Sequence, residues 1–168
     1  ERLAKSLIFD ARLAGHHIRP EMALGMVGAR LSAGPLGLIE TLQAMPLRKD
    51  HNLLVVADQF EEIFRYRTDS DEKKSRQADL FVAILLASAQ QQALPIFVVL
   101  TMRSDFIGNC AVFDGLPEAV SRSQYLTPRL TREQRELAIV GPARVCGGSV
   151  EPRLVARLVG GEVLALER

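Results

Sequence analysis

The sequence predicts an α/β fold, and three observations carry that expectation. Leu53-Leu54-Val55-Val56-Ala57 and Ile96-Phe97-Val98-Val99-Leu100-Thr101 are apolar runs of strand length, rich in β-branched residues. Helical periodicity fills the interval between them, the pattern of a βαβ unit with parallel strands. From residue 128 onward only helical signals occur. The expected whole is an incomplete three-layer α/β/α sheet over residues 1–127, followed by the start of a helical subdomain over residues 128–168. Two strands do not make a stable layer, so further strands are expected in weaker segments or outside these residues.

The helices are read in chain order. Over residues 1–14, Leu3, Leu7 and Ile8 fall on one side of a helix that ends at Gly15. Arg19-Pro20-Glu21 opens a second helix through Ala33, with Pro20 in its first turn, and Gly34-Pro35 breaks it. Leu36 to Met45 gives a third helix with Leu38, Ile39 and Leu42 as its apolar stripe. The strand Leu53–Ala57 follows, its unbroken apolar run predicting burial on both faces. Phe60, Ile63 and Phe64 then recur at helical spacing, from a helix or turn that starts near Gln59. The charged stretch 65–77 reads as a solvated helix end and loop, and a long helix is expected from Ser75 to Gln92.

After the second strand, residues 105–123 read as helix and loop interrupted by Gly108, Gly115 and Pro117. Gln124-Tyr125-Leu126 is a brief strand candidate. Thr131-Arg132-Glu133-Gln134 has the form of a capping box that starts a helix to Val140, where Gly141-Pro142 breaks it. Glu151-Pro152 starts a last helix through Val159.

Composition excludes several classes. The chain has 168 residues, 48% hydrophobic against 24% charged, which is globular rather than disordered and sufficient for one ordinary domain. Its net charge is +1 and its arginines are dispersed, so neither nucleic acid nor an anionic membrane is the expected partner. No apolar run approaches the roughly 18 to 20 residues that span a bilayer. Cys110 and Cys146 cannot by themselves build a structural zinc site, and a reduced, cytoplasmic setting is the expectation. Glu1 in place of methionine, and a terminus inside an apolar stretch, suggest a piece of a longer polypeptide.

Chemistry is expected where the strands end. Asp58, Glu61 and Glu62 follow the first strand directly, and in open α/β sheets ligands bind outside the carboxyl ends of strands. Three carboxylates beside a buried strand need water, a cation or a ligand. Magnesium with a nucleotide phosphate suits such hard oxygen donors, although acids in a helical first turn are also ordinary companions of the helix dipole. Arg103 ends the neighbouring strand. Its planar fork suits a phosphate, and simple pairing with the acids is the alternative. Elsewhere the signals are weak. His16 and His17 do not share a helix face, Cys110 has no base in view, and Ser104 lacks a nucleophile elbow.

Asp58-Gln59-Phe60-Glu61-Glu62, Thr101-Met102-Arg103-Ser104-Asp105-Phe106 and Gln124 through Gln134, in this order, resemble the novel STAND NTPase domain. That family comprises P-loop signalling ATPases of bacteria, similar to the AAA+ and NACHT groups and often linked to WD-type repeats. The resemblance implies a partial P-loop NTPase sheet and a slow magnesium-ATP switch for assembly. Asp58 would hold Mg2+ as the Walker B aspartate, and Glu61 or Glu62 would position the attacking water. Arg103 would sense the terminal phosphate of ATP, and Tyr125 through Gln134 would join core to helical subdomain. It also implies protein partners through attached repeats or effector domains. No G-x-x-x-x-G-K-[ST] occurs in residues 1–168, and in the family that loop would lie upstream of residue 1. The segment alone is therefore expected to be inactive and to self-associate through uncovered surface. A non-catalytic NTPase-like scaffold for protein interaction is the alternative.

Overall fold

The structure, a computed structural model, describes residues 2–9, 20–47, 49–67 and 71–160. The chain divides into two compact units, Glu1–Gln124 and Tyr125–Arg168. The first is mixed α/β and mostly helical; the described part of the second is helical.

Three helices open the first unit: α1 (Arg2–Phe9), α2 (Pro20–Ala33) and α3 (Gly37–Ala44). Ala4 and Leu7 of α1, Val27 and Leu31 of α2, and Leu38 and Leu42 of α3 belong to one buried cluster. The continuation expected to Gly15, with His16 and His17, lies outside the described residues. Gly37 is required at the α2–α3 corner. A Cβ there would fall on the Arg30 carbonyl and the Leu31 backbone, so no other residue permits this approach. The fully buried Thr41 hydroxyl is satisfied by donating to the Gly37 carbonyl at 2.6 Å.

Strands β1 (Leu53–Ala57) and β2 (Ile96–Leu100) pair in parallel, Leu53 opposite Ile96 through Ala57 opposite Leu100. Among the described residues they form a two-stranded sheet. The expectation that β1 is buried on both faces is corrected. Leu53, Val55 and Ile96 are buried, whereas Leu54, Val56, Phe97 and Val99 are 45–57% exposed. Register puts these last four on one face. The long crossover helix Glu72–Gln90 packs on β2, but only one side of the sheet is covered by described residues, so the strands alternate like a half-buried sheet.

The crossover contains α4 (Glu62–Arg67) and α5 (Glu72–Gln90). α5 begins three residues earlier than expected because Asp71 caps it, its carboxylate accepting from the Lys73 N–H at 2.9 Å. An Arg76–Glu72 pair at 2.7 Å then lies along its charged first turns. Residues 72–77 are thus solvated helix, not loop; residues 68–70 of that stretch lie outside the described set. α5 stops at Gln90 rather than Gln92. The Gln91 side-chain amide closes the turn instead, accepting from the Leu94 N–H at 2.8 Å and donating to the Leu94 carbonyl at 2.9 Å.

Beyond β2 comes a 3-10 helix, Ser104–Val112, which runs through Gly108, and then α6 (Leu116–Ser123). Gly115 supplies the left-handed turn before α6 at φ 79°, and Pro117 sits in its first turn.

In the second unit, residues 125–130 have no regular structure, which corrects the strand candidate at Gln124-Tyr125-Leu126. Tyr125 and Leu126 are 83% and 73% exposed, and among the described residues the only strand pairing is that of β1 with β2. The capping box forms as read: Thr131 Oγ1 accepts from the Gln134 N–H at 3.3 Å, and Gln134 Oε1 accepts from the Thr131 N–H at 2.9 Å. The helix it starts, α7 (Arg132–Val145), passes through Gly141-Pro142 instead of breaking there. Proline keeps a helical φ and removes one backbone donor, a loss this exposed helix tolerates. α8 (Pro152–Gly160) packs against it. The Arg135 guanidinium donates to the Val159 carbonyl at 2.9 Å, a cation at the α8 C-terminus. The terminal segment around Leu164-Ala165-Leu166 lies outside the described residues.

Candidate functional site at the strand ends

The carboxyl ends of β1 and β2 are tied through one residue, Thr101. Its N–H donates to the Ala57 carbonyl at 3.0 Å, and its own carbonyl accepts from the Phe60 N–H at 2.8 Å. Its hydroxyl accepts from the Gln59 N–H at 3.1 Å and donates to Asp58 Oδ1. The parallel ladder thus continues past the last strand residue into a turn at Asp58–Glu61. Gln59 takes a left-handed φ of 52° there, a conformation uncommon outside glycine that the two bonds to Thr101 hold.

The turn separates the three acids. Asp58 is exposed at the strand tip. Glu61 is half-buried in the turn, and its Oε2 is withdrawn from solvent without a hydrogen-bond partner among the described residues. Glu62 is the first residue of α4 and exposed; its Oε2 accepts from the Arg65 guanidinium at 3.0 Å. The two adjacent glutamates therefore have different environments: Glu62 has its cation, and Glu61 has an unfilled acceptor.

Arg103 stands two residues beyond Thr101, at the end of the strand paired to β1. It pairs with Asp105, in a fork of Nε to Oδ1 at 3.1 Å and Nη2 to Oδ2 at 2.7 Å. Its guanidinium carbon lies 5.6 Å from the centre of the Phe106 ring. Among the described residues no ion pair joins Arg103 to Asp58, Glu61 or Glu62. Simple pairing of the arginine with that cluster is thereby corrected, because Asp105 is closer in sequence and offers both oxygens.

Beneath these groups lies an aromatic cluster. Phe64 meets Phe60, Phe106 and Phe113 at centroid distances of 6.1, 6.1 and 6.0 Å. Phe60 and Phe64 carry the acidic turn, while Phe106 and Phe113 belong to the segment after Arg103. Their contact fixes one strand end against the other. Cys110, 1% exposed beside this cluster, has its thiol pushed up from the ordinary range by burial, with its backbone hydrogen bond pulling the other way.

Sequence reading located Asp58, Glu61, Glu62 and Arg103 but passed over Thr101 and the Phe106 platform. The signal for Thr101 was its place as the first polar residue after an apolar strand, two ahead of Arg103. Among the described residues no group of three or more His, Cys, Asp or Glu side chains could cage a metal ion. One exposed carboxylate next to a phosphate ligand is, however, a sufficient protein share for magnesium, which keeps most of its waters. A cavity of about 690 Å3 lies elsewhere, along β1, between Leu3, Leu7, Leu54, Val56 and Phe81, and includes none of these charged groups. No helix among the described residues is long and apolar enough to cross a membrane.

The model of the family described as Novel STAND NTPase 1 matches residues 2–164. No curated protein and no solved structure matches the chain.

Proposed function

The chain belongs to the Novel STAND NTPase 1 family, and from that premise we propose that it is the middle portion of a signalling ATPase that binds and slowly hydrolyses magnesium-ATP as a conformational switch. The observation that carries this reading is the pairing of β1 and β2, which places Asp58 and Arg103 at adjacent strand ends. The parallel pair with helices on one side is read as part of a three-layer P-loop sheet. A phosphate-cradling loop, which residues 1–168 do not contain, would come from elsewhere in the parent polypeptide.

Asp58 is the residue that would hold magnesium, through water, as the Walker B aspartate. The metal, when bound, neutralises charge developing on the phosphates. Glu61 is the acid that orients the attacking water, since its Oε2 is withdrawn and unpartnered, whereas Glu62 is engaged by Arg65. Arg103 exchanges its Asp105 carboxylate for the terminal phosphate, two acceptors that its fork fits equally. By the family resemblance, the segment at Tyr125–Gln134 would be the junction where nucleotide state is converted into movement, and attached domains would supply the protein partners.

Calorimetry of ATP binding to the full-length protein, with and without magnesium, tests this. Binding is expected to be strengthened by magnesium, to lose that dependence in Asp58→Asn and to weaken in Arg103→Ala. Glu61→Gln should lower turnover by roughly 10²-fold or more while Glu62→Gln stays near wild type. Absence of nucleotide binding in the full-length protein would sink the reading and leave an NTPase-like interaction scaffold.

A further inference from the structure

We propose that Thr101 is a positioning residue for the metal-holding carboxylate: its hydroxyl fixes Asp58 at the strand tip by donating to Oδ1 while accepting from the Gln59 N–H. The inference rests on the assignment of Asp58 to magnesium and adds a residue to that site. A hydroxyl has one proton, and here it is committed. Because the Gln59 N–H occupies an acceptor position at 3.1 Å, the rotor is held on that side and its proton is directed to Asp58. The backbone of Thr101 is held as firmly, by its bonds to Ala57 and Phe60 on the opposite strand end. An exposed aspartate at the tip of a strand would otherwise sample several rotamers, since its sp3–sp2 torsion is broad. Anchoring Oδ1 leaves Oδ2 as the oxygen that would be available to a hydrated magnesium ion.

The second consequence concerns the turn. Gln59 is at φ 52°, and both groups that hold it there belong to Thr101. Loss of the hydroxyl therefore frees the Asp58 carboxylate and loosens the turn that presents Glu61. β2 delivers Thr101 and Arg103 two residues apart, so one strand end both orients the carboxylate and carries the arginine. Valine at 101 keeps the branched shape suited to a strand and removes only the hydroxyl.

The test uses the full-length protein with ATP and Mn2+, the bound metal being read directly by electron paramagnetic resonance. Thr101→Val is expected to weaken Mn2+ in the ATP complex about tenfold and to speed exchange of the Gln59 amide. Metal-free ATP affinity should stay within twofold of wild type. Thr101→Ser, which restores the hydroxyl, is expected to behave as wild type in all three readings. Thr101→Ala serves the same comparison if valine crowds the strand end. In an Asp58→Asn background Thr101→Val should change Mn2+ affinity no further. Unchanged Mn2+ affinity in Thr101→Val, or an equal loss in Thr101→Ser, would overturn the role of the hydroxyl while leaving the ATPase reading standing. Failure of the wild-type protein to bind Mn2+ with ATP would instead overturn both.

Discussion

The two units of this chain are held by different forces. Glu1–Gln124 has a continuous buried cluster from Ala4 to Leu116, in which helices, sheet and the aromatic group under the strand ends share side chains. In the described part of Tyr125–Arg168, Val159 alone among the hydrophobic side chains is buried, and Leu137, Val145 and Leu158 are 57–89% exposed. What holds α7 and α8 is a capping box, an arginine on a helix terminus and short-range packing. The difference teaches where precision resides. The strand ends with Asp58 and Arg103 are built on the packed unit, whereas α7 and α8 are built on local hydrogen bonds with little burial.

The largest test of this contrast is truncation on each side. Phe64→Ala removes the ring shared by three aromatic neighbours and is expected to cost about 3–5 kcal/mol in denaturant unfolding followed by circular dichroism. Leu137→Ala in α7 should cost less than about 0.5 kcal/mol, being a surface change. Comparable losses at the two positions would erase the distinction.

A smaller effect is expected at the cap. Thr131→Ala removes one half of the capping box and should cost α7 about 1 kcal/mol, seen as faster amide exchange at Gln134 with the strand amides unaffected. The same helix start has a pH signature. Backbone and Thr131 hydrogen bonds hold the Glu133 carboxyl below its ordinary value. A depressed folded pKa contributes stability above the unfolded value, near 4.3 for a glutamate, and that contribution is lost as pH falls through the folded value. Amide protection in the first turn of α7 should therefore decline below about pH 4. No decline, or a decline spread equally over β1 and β2, would show that the cap is not what holds it.

At the site the expected stability change is again small. Arg103 and Asp105 are both more than half exposed, so Asp105→Asn should alter the unfolding free energy by under about 1 kcal/mol. Its proposed consequence is functional: with its carboxylate partner gone, Arg103 should bind ATP phosphate a few-fold more tightly in the full-length protein. Weaker binding in Asp105→Asn would mean that the carboxylate orients the arginine rather than competing for it.

Much of this arrangement was legible in residue order. The spans of β1 and β2, the start of α2 and the Thr131 box follow from apolar periodicity and cap chemistry, which act within a few residues. The positions of Asp58 and Arg103 follow from where the apolar runs stop. Three matters belonged to tertiary structure. Whether Leu54 and Phe97 are covered depends on what packs on the sheet, and their own apolarity does not decide it. The different states of Glu61 and Glu62, neighbours of the same chemistry, arise from a turn whose shape is set by hydrogen bonds to Thr101, 42 residues away from Gln59. The partner of Arg103 was decided by the path of the chain after β2. Local rules determine which segments fold as helix or strand, but hydrogen bonds between distant residues depend on a register that only the packed chain defines.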